Sequence, residues 1–318
     1  MILSSILATG LVGEERVFDG TVTIFNMEVL YNKAMKLSLC LAVYNEEKNI
    51  HYPMDSAIDL VDEVIMVDGG STDKTVEIAK SYDSKSAKGR SSSGRKVRVI
   101  DSNNPVMFHK NKQKAIETAR GEWILQLDAD EEINPELKKE IKNIISVGND
   151  HRVVPNKGEH GSSPLQYVAY NIPRKNWFLT RFLMKGGQYP DYTIRLYRNG
   201  YAKFPCKDVH ENVEIKGEIG YLKSPILHYA DPDFSRYLMR WDRYTSAEVR
   251  VLRAKPLHFF NYFFWKPLTA FFSMYFRHKG FMDGFPGFVF ALFSSIRFWV
   301  IYVKWWALIS KTSLSLTR

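Results

Sequence analysis

Two acidic motifs lie about sixty residues apart, and each follows a short apolar run typical of a β-strand. They are residues 67–73 (Val-Asp-Gly-Gly-Ser-Thr-Asp) and 127–131 (Leu-Asp-Ala-Asp-Glu). Because ligands of open α/β sheets bind outside the carboxyl ends of the strands, we expect Asp68 and Asp128 to face one crevice. Carboxylates spaced as Asp128 and Asp130 suit a hard divalent cation, which in proteins commonly binds a substrate phosphate as well. The two motifs therefore predict nucleotide-sugar chemistry.

Strands and helices alternate through the first half of the sequence, and this alternation predicts a mostly parallel, doubly wound α/β sheet. The predicted elements are strands at 37–43, 62–68, 97–101 and 122–128, helices at 72–82 and 108–120, and a further helix that starts at Asn134-Pro135 with an N-cap and an N1 proline. The pattern then changes, and we predict a loop at 151–166, strands at 167–173 and 193–197, and a helix at 237–252.

Three segments differ in composition and are predicted as separate parts of the chain. Residues 1–34 show no clear apolar period, so we predict an N-terminal extension outside the ordered domain, with Met35 as a candidate start. Residues 35–250 are predicted to form the α/β domain, divided near residue 150 into a donor and metal half and an acceptor half. Residues 251–318 form a basic, aromatic tail.

The tail carries the excess positive charge of the whole chain. Residues 249–318 contain ten Lys or Arg and one acid, which accounts for the net charge of +9, and residues 257–306 contain twenty of the forty-four aromatic residues. Basic and aromatic residues together are typical of a lipid headgroup region, whereas the apolar density exceeds what a nucleic-acid groove requires. We therefore predict an anionic membrane surface as a partner and no nucleic acid.

Basic residues recur in the tail every seven positions, at Arg297, Lys304 and Lys311. This spacing places them on one helical face and favours a helix that lies in the membrane interface with its basic edge towards anionic lipid. A single span that buries Arg297 and a buried helix of a soluble subdomain remain open alternatives.

Cysteine usage and the N-terminus indicate a reducing compartment. Cys40 and Cys206 follow no spacing motif, which indicates reduced thiols, and the first twelve residues lack the basic start of a secretory signal. Together with the tail, this predicts a location at the cytoplasmic face of a membrane.

The order of these motifs resembles the family 2 glycosyltransferases. The resemblance rests on residues 39–47 (Leu-Cys-Leu-Ala-Val-Tyr-Asn-Glu-Glu) and the two acidic motifs, and it covers about residues 36–250. Residues 192–198 (Tyr-Thr-Ile-Arg-Leu-Tyr-Arg) and 209–211 (Val-His-Glu) are similar to the branch that builds lipopolysaccharide core and related lipid-linked glycans. The resemblance implies a GT-A fold, an inverting mechanism and a nucleotide-diphosphate sugar donor.

The resemblance also implies contacts to that donor. Four residues at the end of the first strand are expected to hold the base and ribose: Ala42, Tyr44, Asn45 and Glu46. Asp68 is expected to accept a hydrogen bond from the nucleobase or ribose, with capping of its own turn as the alternative. Gly69 stands where many relatives carry a second aspartate, which weakens the case for an acidic pair there. Lys112 is expected to face the diphosphate.

A divalent cation, Mn²⁺ or Mg²⁺, is expected at Asp128 and Asp130, where it would neutralise charge on the leaving diphosphate. His210 is expected to complete the contacts of the metal or the diphosphate. Arg195 and Arg198 lie three apart on a predicted strand and should point to opposite faces, so that one of them reaches the diphosphate or an anionic acceptor.

An inverting transfer needs a base on the side of the sugar opposite the leaving group. The candidates are Glu211, Asp191 and Asp208. Glu211 is preferred, because in the resembling branch a His-Glu pair occupies the position of the catalytic carboxylate.

These expectations predict a metal-dependent inverting glycosyltransferase that moves a hexose from a UDP-sugar to a lipid-anchored saccharide. One alternative is a polyprenyl-phosphate glycosyl synthase, whose phosphate acceptor is already ionised and needs no base. Another is a catalytically silent sugar-binding or scaffold protein on the same fold, which the intact Asp128, Asp130 and Glu211 disfavour.

Overall fold

A computed structural model describes residues 17–18, 21–22, 36–85, 97–105, 107–146, 167–206, 212–253 and 255–316. The chain divides into two units, Met1–Ala34 and Met35–Arg318. In the first unit, strand β1 (Val17–Phe18) pairs antiparallel with β2 (Thr21–Val22). The loop predicted at 151–166 lies outside the described residues.

The second unit begins with parallel strands joined by helices. The elements are β3 (Leu37–Val43), α1 (His51–Ala57), β4 (Glu63–Asp68), α2 (Thr75–Lys85), β5 (Val97–Asp101), α3 (His109–Thr118) and β6 (Trp123–Gln126). The strand order is β5-β4-β3-β6, and each of these neighbouring pairs is parallel. The predicted α/β class is confirmed for this half of the sheet.

Successive side chains of β3 enter two different cores, because residues of a strand point alternately to opposite faces. Leu39 packs on one face with Met54 of α1, and Cys40 packs on the other face with Ala115 of α3. A strand covered on both faces is mostly apolar, which explains the apolar run in the sequence. Its one polar side chain, Ser38, is buried and donates to Glu63 Oε1 at 2.7 Å.

The second half of the sheet is mixed rather than parallel. Its elements are β7 (Glu131–Ile133), α4 (Pro135–Ser146), β8 (Ala169–Phe178), β9 (Arg181–Phe182), β10 (Asp191–Arg198), β11 (Ala202–Lys203), β12 (Glu214–Ile215), β13 (Ile219–Tyr221), β14 (Ile226–Asp231) and α5 (Phe234–Leu252). The sheet continues as β6-β10-β8-β14-β7, with β10 antiparallel to both of its neighbours. Asn134 caps α4 as predicted, since its Oδ1 accepts from Leu137 N at 2.7 Å.

Strand β10 contains a bulge at Arg195. Ile194 pairs with Asn171 and Leu196 pairs with Tyr170, so Arg195 is the extra residue on its strand. Bulges bend a strand and re-aim a side chain. The Arg195 side chain is buried and reaches the acidic residues that follow β6.

The tail forms two helical arms joined by a tight turn, and we call residues 259–316 the C-terminal hairpin. Its parts are a π-helical turn (Asn261–Trp265), α6 (Lys266–Phe272), a second π-helical turn (Ser273–Arg277), a short 3-10 helix (Gly280–Asp283) and α7 (Gly284–Leu316). Within the described part of the chain, the stretch Gly280–Ser310 is long and apolar enough to cross a membrane, with a mean hydropathy of 1.6, and a third of its most apolar window is buried inside the protein.

Helix α7 packs along α5 at two points. Val289 is buried with Tyr237 of α5, and further along α7 the Lys304 ammonium donates to Asp242 Oδ1 at 2.7 Å. The expectation that Lys304 faces lipid is therefore wrong, because its charge is satisfied by a carboxylate on α5.

Candidate active site

Asp128 lies after the carboxyl end of β6, between two cations. Its Oδ1 is 2.5 Å from Lys112 Nζ, and its Oδ2 is 2.5 Å from Arg195 Nη2. Both cationic side chains are less than a tenth exposed. Burial alone would raise the pKa of Asp128, but Arg195 and Lys112 hold that pKa well below its ordinary value. Asp128 is therefore an ionised carboxylate whose two oxygens each face a buried cation.

Asp130 has a different set of neighbours. Strand β14 pairs antiparallel with β7, with His228 opposite Glu131, and this pairing brings His228 Nε2 to 3.5 Å from Asp130 Oδ1. Arg236, in the first turn of α5, places Nη2 at 3.3 Å from Asp130 Oδ2. Burial opposes ionisation of Asp130, but His228 and Arg236 keep its pKa below the ordinary value.

Asn176 of β8 sets the tautomer of His228. Its amide nitrogen donates to Asp191 Oδ2 at 3.1 Å, so its carbonyl oxygen faces His228 Nδ1 at 2.7 Å. That oxygen can only accept, so Nδ1 carries a proton and Nε2 is the ring nitrogen that faces Asp130.

The pair formed by Asp130 and His228 fits a divalent cation that takes mixed oxygen and nitrogen ligands, which favours Mn²⁺ over Mg²⁺. Among the residues that the structure describes, no group of three His, Cys, Asp or Glu could hold a metal. Two protein ligands suffice where substrate phosphates and water complete the coordination shell. Asp128 is a weaker candidate ligand than predicted, because Lys112 and Arg195 already neutralise it.

Asp191, the first residue of β10, joins the same network. Arg174 donates to Asp191 Oδ2 through Nε at 3.0 Å and Nη2 at 2.7 Å, and its Nη1 lies 3.3 Å from Glu131 Oε1. Glu131 in turn accepts from Arg195 Nη2 at 2.7 Å. A continuous chain of alternating charges therefore runs through Lys112, Asp128, Arg195, Glu131, Arg174 and Asp191.

The Asp191 side chain is 38% exposed, the most exposed carboxylate of this chain of charges. Burial would raise the pKa of Asp191, but Arg174 and the hydrogen bond from Asn176 lower it below its ordinary value. An ionised carboxylate open to solvent at the edge of the site has the properties of a proton acceptor.

The other predicted site residues divide into two groups. Asp208, His210 and Glu211 lie outside the described residues, so their roles stay predictions. Arg198 lies away from the acidic motif: its guanidinium stacks over Trp123 at 5.3 Å from the ring centroid, and its Nη2 is 3.6 Å from Glu122 Oε1.

The segment after β3 packs on the turn after β4. Asn45 N donates to Ser71 Oγ at 2.9 Å, and Asn45 Oδ1 accepts from Thr72 N at 2.8 Å. Glu46 N donates to Thr75 Oγ1 at 2.7 Å. Burial raises the pKa of Glu46, and the negative charges of Asp130 and Asp128 add to this effect. Ala42 is half-buried in β3 and Tyr44 is exposed.

Asp68 caps its own turn. Its Oδ2 accepts from Gly70 N at 3.1 Å and Ser71 N at 2.9 Å, and its Oδ1 accepts from the Ser71 hydroxyl at 2.5 Å. Asp68 therefore caps its own turn, which is the alternative given above. A contact between Asp68 and a nucleobase or ribose stays a prediction.

Four residues of this site were not found from the sequence: Arg174, Asn176, His228 and Arg236. None lies in an acidic motif. Each reaches the site through strand pairing or helix packing that no local spacing reveals.

Comparison with known proteins identifies related sequences. The model of a family described as Glycosyl transferase family 2 matches residues 38–204. An uncharacterized glycosyltransferase of Rickettsia typhi is 28% identical over 271 residues, which are 80% of this chain and 81% of the relative. The lipopolysaccharide core biosynthesis glycosyltransferase LpsC of Rhizobium meliloti is 21% identical over 274 residues, covering 82% and 88% of the two chains.

Among solved structures, the mannosyltransferase PcManGT from Pyrobaculum calidifontis in complex with GDP-Man and Mn²⁺ has a TM-score of 0.43 and 12% identity, over 89% of this chain and 81% of that one.

Proposed function

The chain belongs to glycosyl transferase family 2, whose model matches more than half of its length, and we propose that it transfers a hexose with inversion from a UDP-sugar to a lipid-anchored saccharide. The observation that carries this proposal is the charge network, which joins the acidic motif after β6 to Asp191 on β10. The similarity to a relative named for lipopolysaccharide core biosynthesis supports a lipid-anchored saccharide as the acceptor.

Asp130 and His228 are the residues that would hold a divalent cation. When bound, this cation would neutralise the charge that develops on the leaving diphosphate. Arg236 lies beside Asp130, with a side chain one third exposed, and would bind a phosphate oxygen. Asp128 would hold Lys112 and Arg195 in place, so that both cations face the leaving group without a mobile counterion.

Asp191 would take the proton of the acceptor hydroxyl. Among the described residues, the hydrogen bonds from Arg174 and Asn176 all go to Oδ2, which leaves Oδ1 for the acceptor. Glu211, preferred from the sequence, is the alternative base.

A donor panel tests the reaction class. UDP-, GDP- and dTDP-sugars are added to the protein with and without Mn²⁺, and the melting temperature is measured. We expect a UDP-sugar with Mn²⁺ to stabilise most, by about 2.7 kcal/mol at a hundred times its dissociation constant. Equal stabilisation by all three donors, or none by any, would contradict the proposal.

The C-terminal hairpin would place the enzyme on the membrane surface. Five large apolar side chains recur every four residues along its first arm, each 51% to 76% exposed: Phe260, Phe264, Leu268, Phe272 and Phe276. The two π-helical turns use i→i+5 hydrogen bonds and so rotate less per residue than an α-helix, which keeps this spacing on one face. We call these five residues the apolar stripe.

A position in the interface fits this hairpin better than a simple span. Helix α7 is fixed to α5 at Val289 and at Lys304, and α5 carries charged residues along its length, such as Arg236, Asp242 and Arg250. Charged side chains are costly inside the hydrocarbon layer. We therefore propose that the apolar stripe inserts into the headgroup region while α5 stays outside, with the catalytic unit at the cytoplasmic face.

Charge substitutions in the stripe test this placement. Phe264→Glu, Leu268→Glu and Phe272→Glu together should abolish co-sedimentation with anionic vesicles, since each large apolar side chain contributes about 1.5–3 kcal/mol when it is buried. UDP-sugar binding should be unchanged. Substitution is a cleaner test than truncation, which would also remove Val289 from its buried cluster.

The matched control is Met239→Glu with Val251→Glu, two exposed apolar positions on α5, which should still bind vesicles. Alkaline carbonate should strip the wild-type protein from membranes. Retention after carbonate would support a span instead, and vesicle binding by the triple variant would exclude the apolar stripe as the anchor.

A further inference from the structure

The turn of the C-terminal hairpin is bonded to the chain that leads into Asp191. Asp283 is 2% exposed, and its Oδ2 accepts from Met184 N at 3.0 Å and from Lys185 N at 2.7 Å. One residue further on, Gly186 N donates to His278 O at 2.9 Å. Three consecutive amides of one loop are therefore held by the hairpin turn.

Glycines allow this close contact. Gly186 has a φ of +66°, which side chains rarely adopt, and a Cβ on Gly280 would lie 2.7 Å from Met274 O. Within the hairpin, a Cβ on Gly287 would lie 2.1 Å from Gly280 O, so the two arms meet backbone to backbone at the turn. The buried Leu183 packs with Val289 at the start of the same loop.

The loop held in this way is short. We call residues 183–190 the anchored loop. It follows β9 and leads directly into Asp191, the first residue of β10. Five residues lie between Lys185 and Asp191. Gln188 N donates back to Lys185 O at 3.1 Å, which shortens the connection further. A displacement at Asp283 would therefore reach the start of β10.

We propose that Asp283 is a positioning residue for the transfer reaction: by accepting from the Met184 and Lys185 amides, it fixes the anchored loop and with it the Asp191 carboxylate relative to the donor. The C-terminal hairpin is then part of the catalytic unit as well as a membrane anchor. This inference rests on the proposed function in one respect, the role of Asp191 as base.

Three substitutions at Asp283 separate geometry from charge. Asp283→Asn removes the charge but keeps an oxygen that can accept from both amides. Asp283→Glu keeps the charge but adds a methylene group that pushes the loop away. Asp283→Ala removes the acceptor. Asp242→Ala is the matched control: Asp242 also ties the hairpin to α5, but among the described residues it makes no hydrogen bond with the anchored loop.

The assay measures release of UDP from UDP-glucose in the presence of Mn²⁺, with water in place of the acceptor hydroxyl, and UDP binding is measured separately by thermal shift. We expect Asp283→Ala and Asp283→Glu to lower kcat by roughly 100-fold, because a catalytic group displaced by about 1 Å loses about that much rate. UDP binding should be unchanged. Asp283→Asn and Asp242→Ala should keep kcat within a few-fold of wild type.

Wild-type kcat in Asp283→Ala, or in Asp283→Glu if the alanine variant does not fold, would overturn the inference. So would a loss in Asp283→Asn as large as in Asp283→Glu, because charge rather than loop geometry would then matter. Failure of the proposed role of Asp191 as base has a different signature, namely undiminished UDP release by Asp191→Asn.

Discussion

Replacing Asp130 with Ala should abolish Mn²⁺-dependent transfer while leaving the protein folded. Asp130 Oδ1 lies 3.5 Å from His228 Nε2, and these two side chains are the proposed ligands of the cation. Loss of a cation that supplies several kcal/mol of charge stabilisation lowers the rate by roughly 1000-fold or more. The measurements are turnover of UDP-sugar and the Mn²⁺-dependent part of UDP binding, both of which should disappear.

The neighbouring carboxylate provides a contrast to Asp130. Asp128→Ala would leave Lys112 and Arg195 buried without this partner, so we expect a lower melting temperature in addition to lost activity. Asp59→Ala, at an exposed carboxylate paired with Lys138, is the matched control and should have little effect. Full activity of the wild-type enzyme in excess EDTA, or Mn²⁺-dependent UDP binding by Asp130→Ala, would refute the metal assignment.

The parallel half of the fold could be predicted because its signals are local. Strand β5 was predicted with both of its ends correct, and β3 was predicted from a continuous apolar run that burial on both faces requires. The cap at Asn134 is likewise a contact between residues three apart in the chain. Local chemistry of this kind is visible in a single sequence.

The antiparallel half was predicted less well because its pairing is non-local. The predicted strand at 167–173 stops five residues before β8 ends, since the polar residues Arg174, Lys175 and Asn176 interrupt the apolar pattern. These residues are held in the strand by pairing with β14, about fifty residues later. A strand whose polar residues face a site gives no apolar period to follow.

The candidate site shows the same division. The acidic motif after β6 was found from spacing alone, whereas His228 reaches Asp130 only because β14 pairs with β7 in one particular register. The bulge that aims Arg195 at Asp128 also depends on pairing between β10 and β8. Lys304 was misassigned to the lipid face because its partner, Asp242, lies 62 residues away in the chain.

The base can be identified by a matched pair of isosteric substitutions. Asp191→Asn keeps the size of the side chain and an oxygen that can accept from Arg174, but it removes the proton acceptor. We expect turnover to fall by roughly 100-fold or more while UDP-sugar binding survives. Glu211→Gln is the matched variant for the base preferred from the sequence.

The pH dependence gives an independent readout of the same group. A base acts in its ionised form, and Arg174 lowers the pKa of Asp191 below its ordinary value, so protonation of Asp191 should not limit activity until the pH falls through the lowered value. Arg174→Met removes the cation that depresses this pKa, so the acidic limb of kcat/KM should move to higher pH.

The outcomes of the two isosteric variants distinguish the acceptors as well as the bases. If Glu211→Gln lowers turnover and Asp191→Asn does not, Glu211 is the base and Asp191 only terminates the charge network. If both variants, and Asp208→Asn as well, keep full activity towards a lipid-linked acceptor, that acceptor needs no base, because its nucleophile is already ionised. A polyprenyl phosphate meets this condition and a sugar hydroxyl does not, so that result would replace the saccharide acceptor with a lipid phosphate.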